Sequence, residues 1–176
     1  MLLALASQDL YKTVFNYEPS QMQSLFATIN LAWSVKILYG LISDNIPIFG
    51  SKRKSYLVIG AFTQVLTMSL LAAFGESSST LAAFCIFATT LSIAFSDVIV
   101  DSLLIIQARK DPQYGSEDLQ SFSWYCQAAG GFFGAITAAF LTQNFAPSMS
   151  FGLYAIFGLA LFFSALRIDG STENCD

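Results

Sequence analysis

Three ionisable side chains stand inside apolar stretches of this sequence: Lys36, in WSVKILYGLISD, and Asp97 and Asp101, in AFSDVIVDSLL. The two aspartates are four residues apart, the spacing that sets two side chains on one face of a helix. A charge at the middle of a membrane-spanning helix costs at least about 2.5–3.5 kcal/mol on insertion scales, so such residues are usually paired or turned toward a water-filled path. One cation and two carboxylates at comparable depth form a set able to line a polar cavity, hold a charged solute and carry a coupling proton. Two plainer readings stand beside that one. The three charges are an ion-pair set that fixes how two helices pack, or Lys36 reaches along its helix to the membrane interface.

The elements that position these residues follow from composition. The chain has 176 residues, of which 55% are hydrophobic and 11% charged, with seventeen phenylalanines and a mean hydropathy of +0.58. A soluble domain carries about 25% charged residues, so the class expected is an integral membrane protein. Five stretches are long enough, at roughly 20 residues per bilayer core, to cross as helices: 22–43, 56–74, 80–107, 119–141 and 149–166. Short polar pieces rich in Gly, Pro, Ser and charge separate them. The fold expected is an all-α, polytopic transmembrane helical bundle. The opening MLLALASQDL is too short an apolar run to span and lacks the basic start of a signal peptide, so it reads as the end of a helix.

Counting along the helices gives depth. Lys36 lies about seven residues, roughly 10 Å, from the end of its span, and Asp97 and Asp101 lie about 18 and 12 Å from Arg109. With alternating spans, Lys52, Arg53, Lys54, Arg109, Lys110 and Arg167 share one face, while the other carries only Lys12. The positive-inside rule makes the six-cation face, and so the loops holding Lys52–Lys54 and Arg109–Lys110, cytoplasmic.

Other chemistries find no residues. The absence of histidine excludes a His-based metal site or a His general base. Cys85, Cys126 and Cys175 have no paired spacing. No Gly-rich phosphate loop, HExxH or Ser–His constellation is present, and neither an enzyme nor a cofactor is expected. No basic run with interleaved aromatics suits nucleic acid. In GSEDLQSFSWYCQAAGGFFGA, Gly130 and Gly134 form a GxxxG with Gly131 beside them, a spacing that lets helix backbones approach closely. Gln120, Ser121, Trp124 and Gln127 gather polar and aromatic groups near the cytoplasmic mouth of the same span; Trp124 also suits an interfacial anchor.

The segment GLISDNIPIFGSKRK resembles the loop signature of the major facilitator superfamily. The longer string WSVKILYGLISDNIPIFGSKRKSY is more specific and resembles the folate–biopterin transporter family, in which a W-x-x-K-P-L-Y-G-x-x-S-D-x-x-P-I-F-G-x-R-R-x-x-Y pattern links the second and third helices. FSDVIVDSL is similar to that family's fourth helix and GSEDLQSFSWYCQAAGGFFG to its fifth, while SQDLYKTVFNYEPSQMQ resembles its first outer loop. Two departures stand out: Ile37 replaces the usual proline, which removes a source of a local kink, and Ile106 and Gln107 replace an acidic–basic pair.

The resemblance implies transport of folates, biopterin or related pteridines by alternating access with proton coupling. It makes Lys36, Asp97 and Asp101 the substrate-binding or coupling residues, and Gly40, Asp44, Gly50 and Arg53 a loop latch. It also implies that residues 22–167 are helices two to six of a transporter half, that 1–21 are the remnant of a first helix plus an outer loop, and that 168–176 form an acidic cytoplasmic tail. The chain is then a fragment of a transporter whose partners are the lipid bilayer, a small-molecule solute, protons, and a second half or a second copy. The competing expectation is a non-transporting membrane scaffold or assembly subunit derived from a transporter, its charges purely structural. Plasma and organellar membranes are equally compatible with either.

Overall fold

The computed structural model describes residues 2–46, 48, 53–109 and 114–167, and within them all regular structure of any length is helical. Gly50, Lys52 and Lys110 of the expected latch and cytoplasmic loops, and the acidic tail 168–176, lie outside the described residues. The chain opens with α1 (Leu2–Asp9), which continues through a π-helical segment, Leu10–Val14. The helix therefore runs past the apolar opening, because Leu10 and Tyr11 are fully buried. Asn16 adopts a positive φ of 52° in the turn that follows, a conformation asparagine tolerates better than most residues.

The first membrane crossing is broken in two. Helix α2 (Pro19–Ser34) begins on a proline at its first position, and α3 (Lys36–Asn45) follows after Val35, whose φ/ψ of −100°/19° leaves the helical region. Helices α4 (Lys54–Phe74), α5 (Ser79–Ala108), α6 (Gly115–Asn144) and α7 (Pro147–Leu166) complete the bundle. Among the described residues four crossings are long and apolar enough to span a membrane: Pro19–Asn45, Lys54–Phe74, Ser79–Ala108 and Pro147–Leu166. The sequence suggests five. The remaining one, α6, has 30 residues and ample length, but its first half carries Ser116, Glu117, Asp118, Gln120, Ser121, Ser123 and Gln127 and is too polar to count by apolarity alone.

Two apolar clusters tie the helices together at opposite ends. One gathers Leu10, Tyr11, Met68, Leu71, Ile86 and Phe151; the other gathers Leu57, Ile99 and Ala165, with Tyr56 and Phe95 against them. Several polar groups on the helix interfaces find partners there. Thr67 and Thr89 hydroxyls bond at 2.6 Å between α4 and α5, and Ser92 Oγ donates to the Gly60 carbonyl at 2.6 Å. Such bonds hold helices together where lipid offers no competing partner. A Cβ at Gly60 meets Ser96 Oγ at 2.9 Å, so only hydrogen fits there without a shift. Elsewhere large apolar side chains such as Ile37, Phe62, Phe84 and Phe163 are exposed. A water-soluble monomer rarely shows so much apolar surface, whereas a lipid-facing one must.

Candidate functional site

Helix α3 sets the site. Its start is pinned to α5 three ways: Tyr39 packs on Phe95 with ring centroids 5.3 Å apart, Gly40 lies one methyl away from Val98, and Lys36 pairs with Asp97. Tyr56, at the start of α4, also stacks on Phe95, with centroids 5.2 Å apart. The break at Val35 occurs although Ile37 stands where a proline was expected to provide it. Leu38 N–H donates to the Val35 carbonyl at 3.0 Å, a tight three-residue turn, and the buried Tyr39 hydroxyl donates to the Ala32 carbonyl at 2.8 Å. That hydroxyl serves a carbonyl in the last turn of α2, one of those a helix end leaves without an internal partner. The kink expected to be lost is therefore present, held by a side chain rather than a ring.

Beside this break opens a cavity of about 620 Å³ between α2–α3, α5 and α6. Lys36, Asp97, Asp101, Gln120 and Trp124 all line it, and Gln127, Trp33, Ser116 and Ser123 join them. Lys36 Nζ forms an ion pair with Asp97 Oδ2 and also lies over the Trp33 ring, 4.7 Å from its centroid. Both partners of that pair keep about a third of their side chains exposed, 36% and 35%, so the pair faces the cavity. Lys36 does not run to the interface. Asp101, one turn toward the mouth, has no ion pair among the described residues. The set thus has one cation matched to one carboxylate, with a second carboxylate left facing open space.

Ser121 is exposed but absent from the cavity wall. It points away because the lining residues of α6 recur at 116, 119, 120, 123, 124 and 127, the period of one helix face. That period is the signal by which Ser116 and Ser123 could have been found in the sequence. On α5 the same period selects 97, 100, 101, 104, 105 and 108.

At the end where α3 stops and α4 begins, Arg53 Nη2 donates to Asp44 Oδ1 at 3.0 Å, and Tyr56 Oη donates to the Ile46 carbonyl at 2.8 Å. Asp44 and Arg53 of the expected latch are thus joined; Arg53 immediately precedes α4. The glycines of α6 behave differently. A Cβ at Gly130, Gly131 or Gly134 meets nothing within 4 Å. No described residue of the chain packs against these glycines, and the buried residues of α6 are Gly115 and Ala138. Among the described residues no group of three or more His, Cys, Asp or Glu is placed to hold a metal ion.

Comparison with known proteins places the chain. It is 34% identical over 158 residues to "Folate-biopterin transporter" of Synechocystis sp., covering 90% of this chain and 32% of that protein. It is 32% identical over 158 residues to "Probable folate-biopterin transporter 4" of Arabidopsis thaliana, covering 89% of this chain and 32% of that one. A shorter stretch of 59 residues, 34% of this chain and 12% of the other, is 37% identical to "Folate transporter 1" of Plasmodium falciparum. The chain thus spans about a third of the length of the curated relatives it matches over most of its residues. No solved structure matches it. The names of these relatives are those of transporters, not enzymes, and with the four apolar crossings they make the chain an integral, multi-pass membrane protein. The model of the BT1 family matches residues 1–174, and the chain belongs to that family.

Proposed function

We propose that this chain forms one wall of a transport path for folate, biopterin or a related pteridine, working by alternating access and coupled to protons. The observation that carries this reading is the one cavity in which Lys36 of α3 and Asp97 and Asp101 of α5 converge. The names of the relatives supply the solute class. In this reading Lys36 meets the carboxylate of a glutamate tail, and Asp97 or Asp101 accepts from the amino and ring N–H groups of the pterin. An anionic tail reaches Lys36 only by replacing Asp97 as its partner. A proton taken up by Asp97 keeps that exchange neutral and supplies the coupling. The cavity reaches Ala108 and Ser116, beside the α5–α6 connection. The cation bias of the loops makes that mouth cytoplasmic. The Asp44–Arg53 pair latches the same end. The rest of the path comes from a second half, or from a second copy of this chain.

The test is uptake of labelled folate and biopterin by cells expressing the chain, beside cells expressing it extended to the length of its relatives. Each is repeated with Lys36→Met, Asp97→Asn and Asp101→Asn, and with the proton gradient collapsed. The expected result is uptake that falls at least tenfold in each variant and requires the gradient. Uptake indifferent to all three substitutions rejects the roles given to these residues. No uptake of either solute by either form rejects pteridine transport and leaves a scaffold with structural charges.

A further inference from the structure

The cavity has a second wall to which the carboxylate–lysine set gives no task. Trp124 and the amides of Gln120 and Gln127 share the α6 face that looks across at α5. Neither glutamine side chain makes a hydrogen bond among the described residues, whereas Thr137, Thr142 and Asn144, farther along the same helix, each donate back to a helix carbonyl. A pendant amide within the thickness of a membrane carries a desolvation cost unless something satisfies it. Trp124 is similarly uncommitted, with 64% of its surface exposed, while the other ring of the cavity, Trp33, already carries Lys36 on its face.

The two helices run antiparallel from a common connection, so positions equally distant from it lie at the same depth. Asp97 precedes Ala108 by eleven residues and Gln127 follows Ser116 by eleven; Asp101 and Trp124 are similarly matched at seven and eight. The lining of α6 thus extends roughly 16 Å along the helix, with the aromatic ring level with the unpaired carboxylate and an amide level with the ion pair.

We propose that this α6 face reads the ring of the solute: Trp124 is the stacking plate, and Gln120 and Gln127 are specificity-determining residues for a planar, nitrogen-rich heterocycle with a lactam edge. A glutamine amide holds one acceptor and two donors in one plane, which matches a carbonyl beside a ring N–H. Asp101, level with the plate, accepts from the ring's amino group, and a carboxylate-bearing tail turns toward Lys36. This assignment rests on the pteridine reading above and deepens it.

The chain's tryptophans number two, and both line the cavity, so intrinsic fluorescence reports on it directly. The protein is placed in lipid nanodiscs, and the binding of labelled biopterin, a pterin without a carboxylate, and of labelled folate is measured by equilibrium dialysis. Fluorescence of the Trp33→Phe variant is followed in parallel, because its signal comes from Trp124 alone. The expected results are saturable quenching of Trp124 by biopterin and affinity losses of about tenfold or more for both ligands in Trp124→Leu, which removes the stacking face. Gln120→Leu/Gln127→Leu shows a comparable loss, with helix content by circular dichroism unchanged. Lys36→Met weakens folate more than biopterin. Saturable biopterin binding that is undiminished in Trp124→Leu and in the double glutamine variant overturns the α6 assignment and leaves the pteridine reading standing. A folded wild type that binds neither ligand overturns both.

Discussion

At the residue scale, the state of the Lys36–Asp97 pair decides what the cavity can do. Its partial exposure sets its energy between two limits. Fully exposed pairs are worth about 0–1 kcal/mol, and removing one partner of a fully buried pair costs about 3–5 kcal/mol. Here Lys36→Met or Asp97→Asn alone is expected to cost about 1–3 kcal/mol, because each strands a charge at membrane depth. The Lys36→Met/Asp97→Asn double variant, with neither charge left alone, is expected to cost less than the sum of the two. Thermal unfolding of the four proteins in one detergent gives the coupling. Additive costs indicate that the two residues do not depend on each other. The Asp44–Arg53 pair is a contrasting case, since Asp44 is 54% exposed. Asp44→Asn should therefore lower stability by no more than about 1 kcal/mol. Any larger effect on uptake then reports a change in conformational balance rather than in folding.

At the element scale, the break between α2 and α3 carries the argument. Ile37 falls in the first turn of α3, where backbone N–H groups have no internal acceptor and proline is tolerated. Ile37→Pro is expected to change stability by less than about 1 kcal/mol. Leu41→Pro, in the body of the same short helix, is expected to cost about 3 kcal/mol or more. Equal losses in thermal unfolding rule out a break that is already built into the chain. Helix α6 offers a second check. With open space where a Cβ would stand at Gly130 and Gly134, alanine there loses no contact within the chain. It gains up to about 1 kcal/mol of helix propensity, so a higher melting temperature is expected. A lower one in the chain alone shows that the glycines pack against something, a second copy included.

At the scale of the whole molecule, the bundle is asymmetric in charge and in packing. Arg53, Lys54, Arg109 and Arg167 lie at the end where α3, α5 and α7 finish. The opposite end is closed by Tyr11, whose hydroxyl donates to the Ser79 carbonyl at 2.8 Å, and by the contact of Ser148 with Glu76. With Cys85, Cys126 and Cys175 replaced by serine, a cysteine placed at Lys54 is expected to react with an impermeant thiol reagent only after the cytoplasmic face is exposed. One placed at Ser78 should react from outside. The reverse pattern inverts the proposed orientation and makes the cavity mouth extracellular.

Much of this was legible in the sequence, for stated reasons. Low charge and long apolar runs determined a membrane-spanning helical bundle, because no other backbone arrangement of such segments satisfies its hydrogen bonds in lipid. The cost of an intramembrane charge marked Lys36, Asp97 and Asp101, and helical rise put them at comparable depth. Periodicity alone would also have separated Ser116 and Ser123, which face the cavity, from Ser121, which does not. Contacts between distant segments could not be read that way. Only tertiary structure chose Asp97 over Asp101 as the partner of Lys36, since four residues on one helix face differ by a single turn and the choice depends on where α3 docks. Only tertiary structure showed the break at Val35, because the open carbonyl beside it, that of Ala32, is served by a tyrosine seven residues on, Tyr39. It also turned the GxxxG of α6 to open space, since a small-residue spacing specifies a close approach without specifying what approaches.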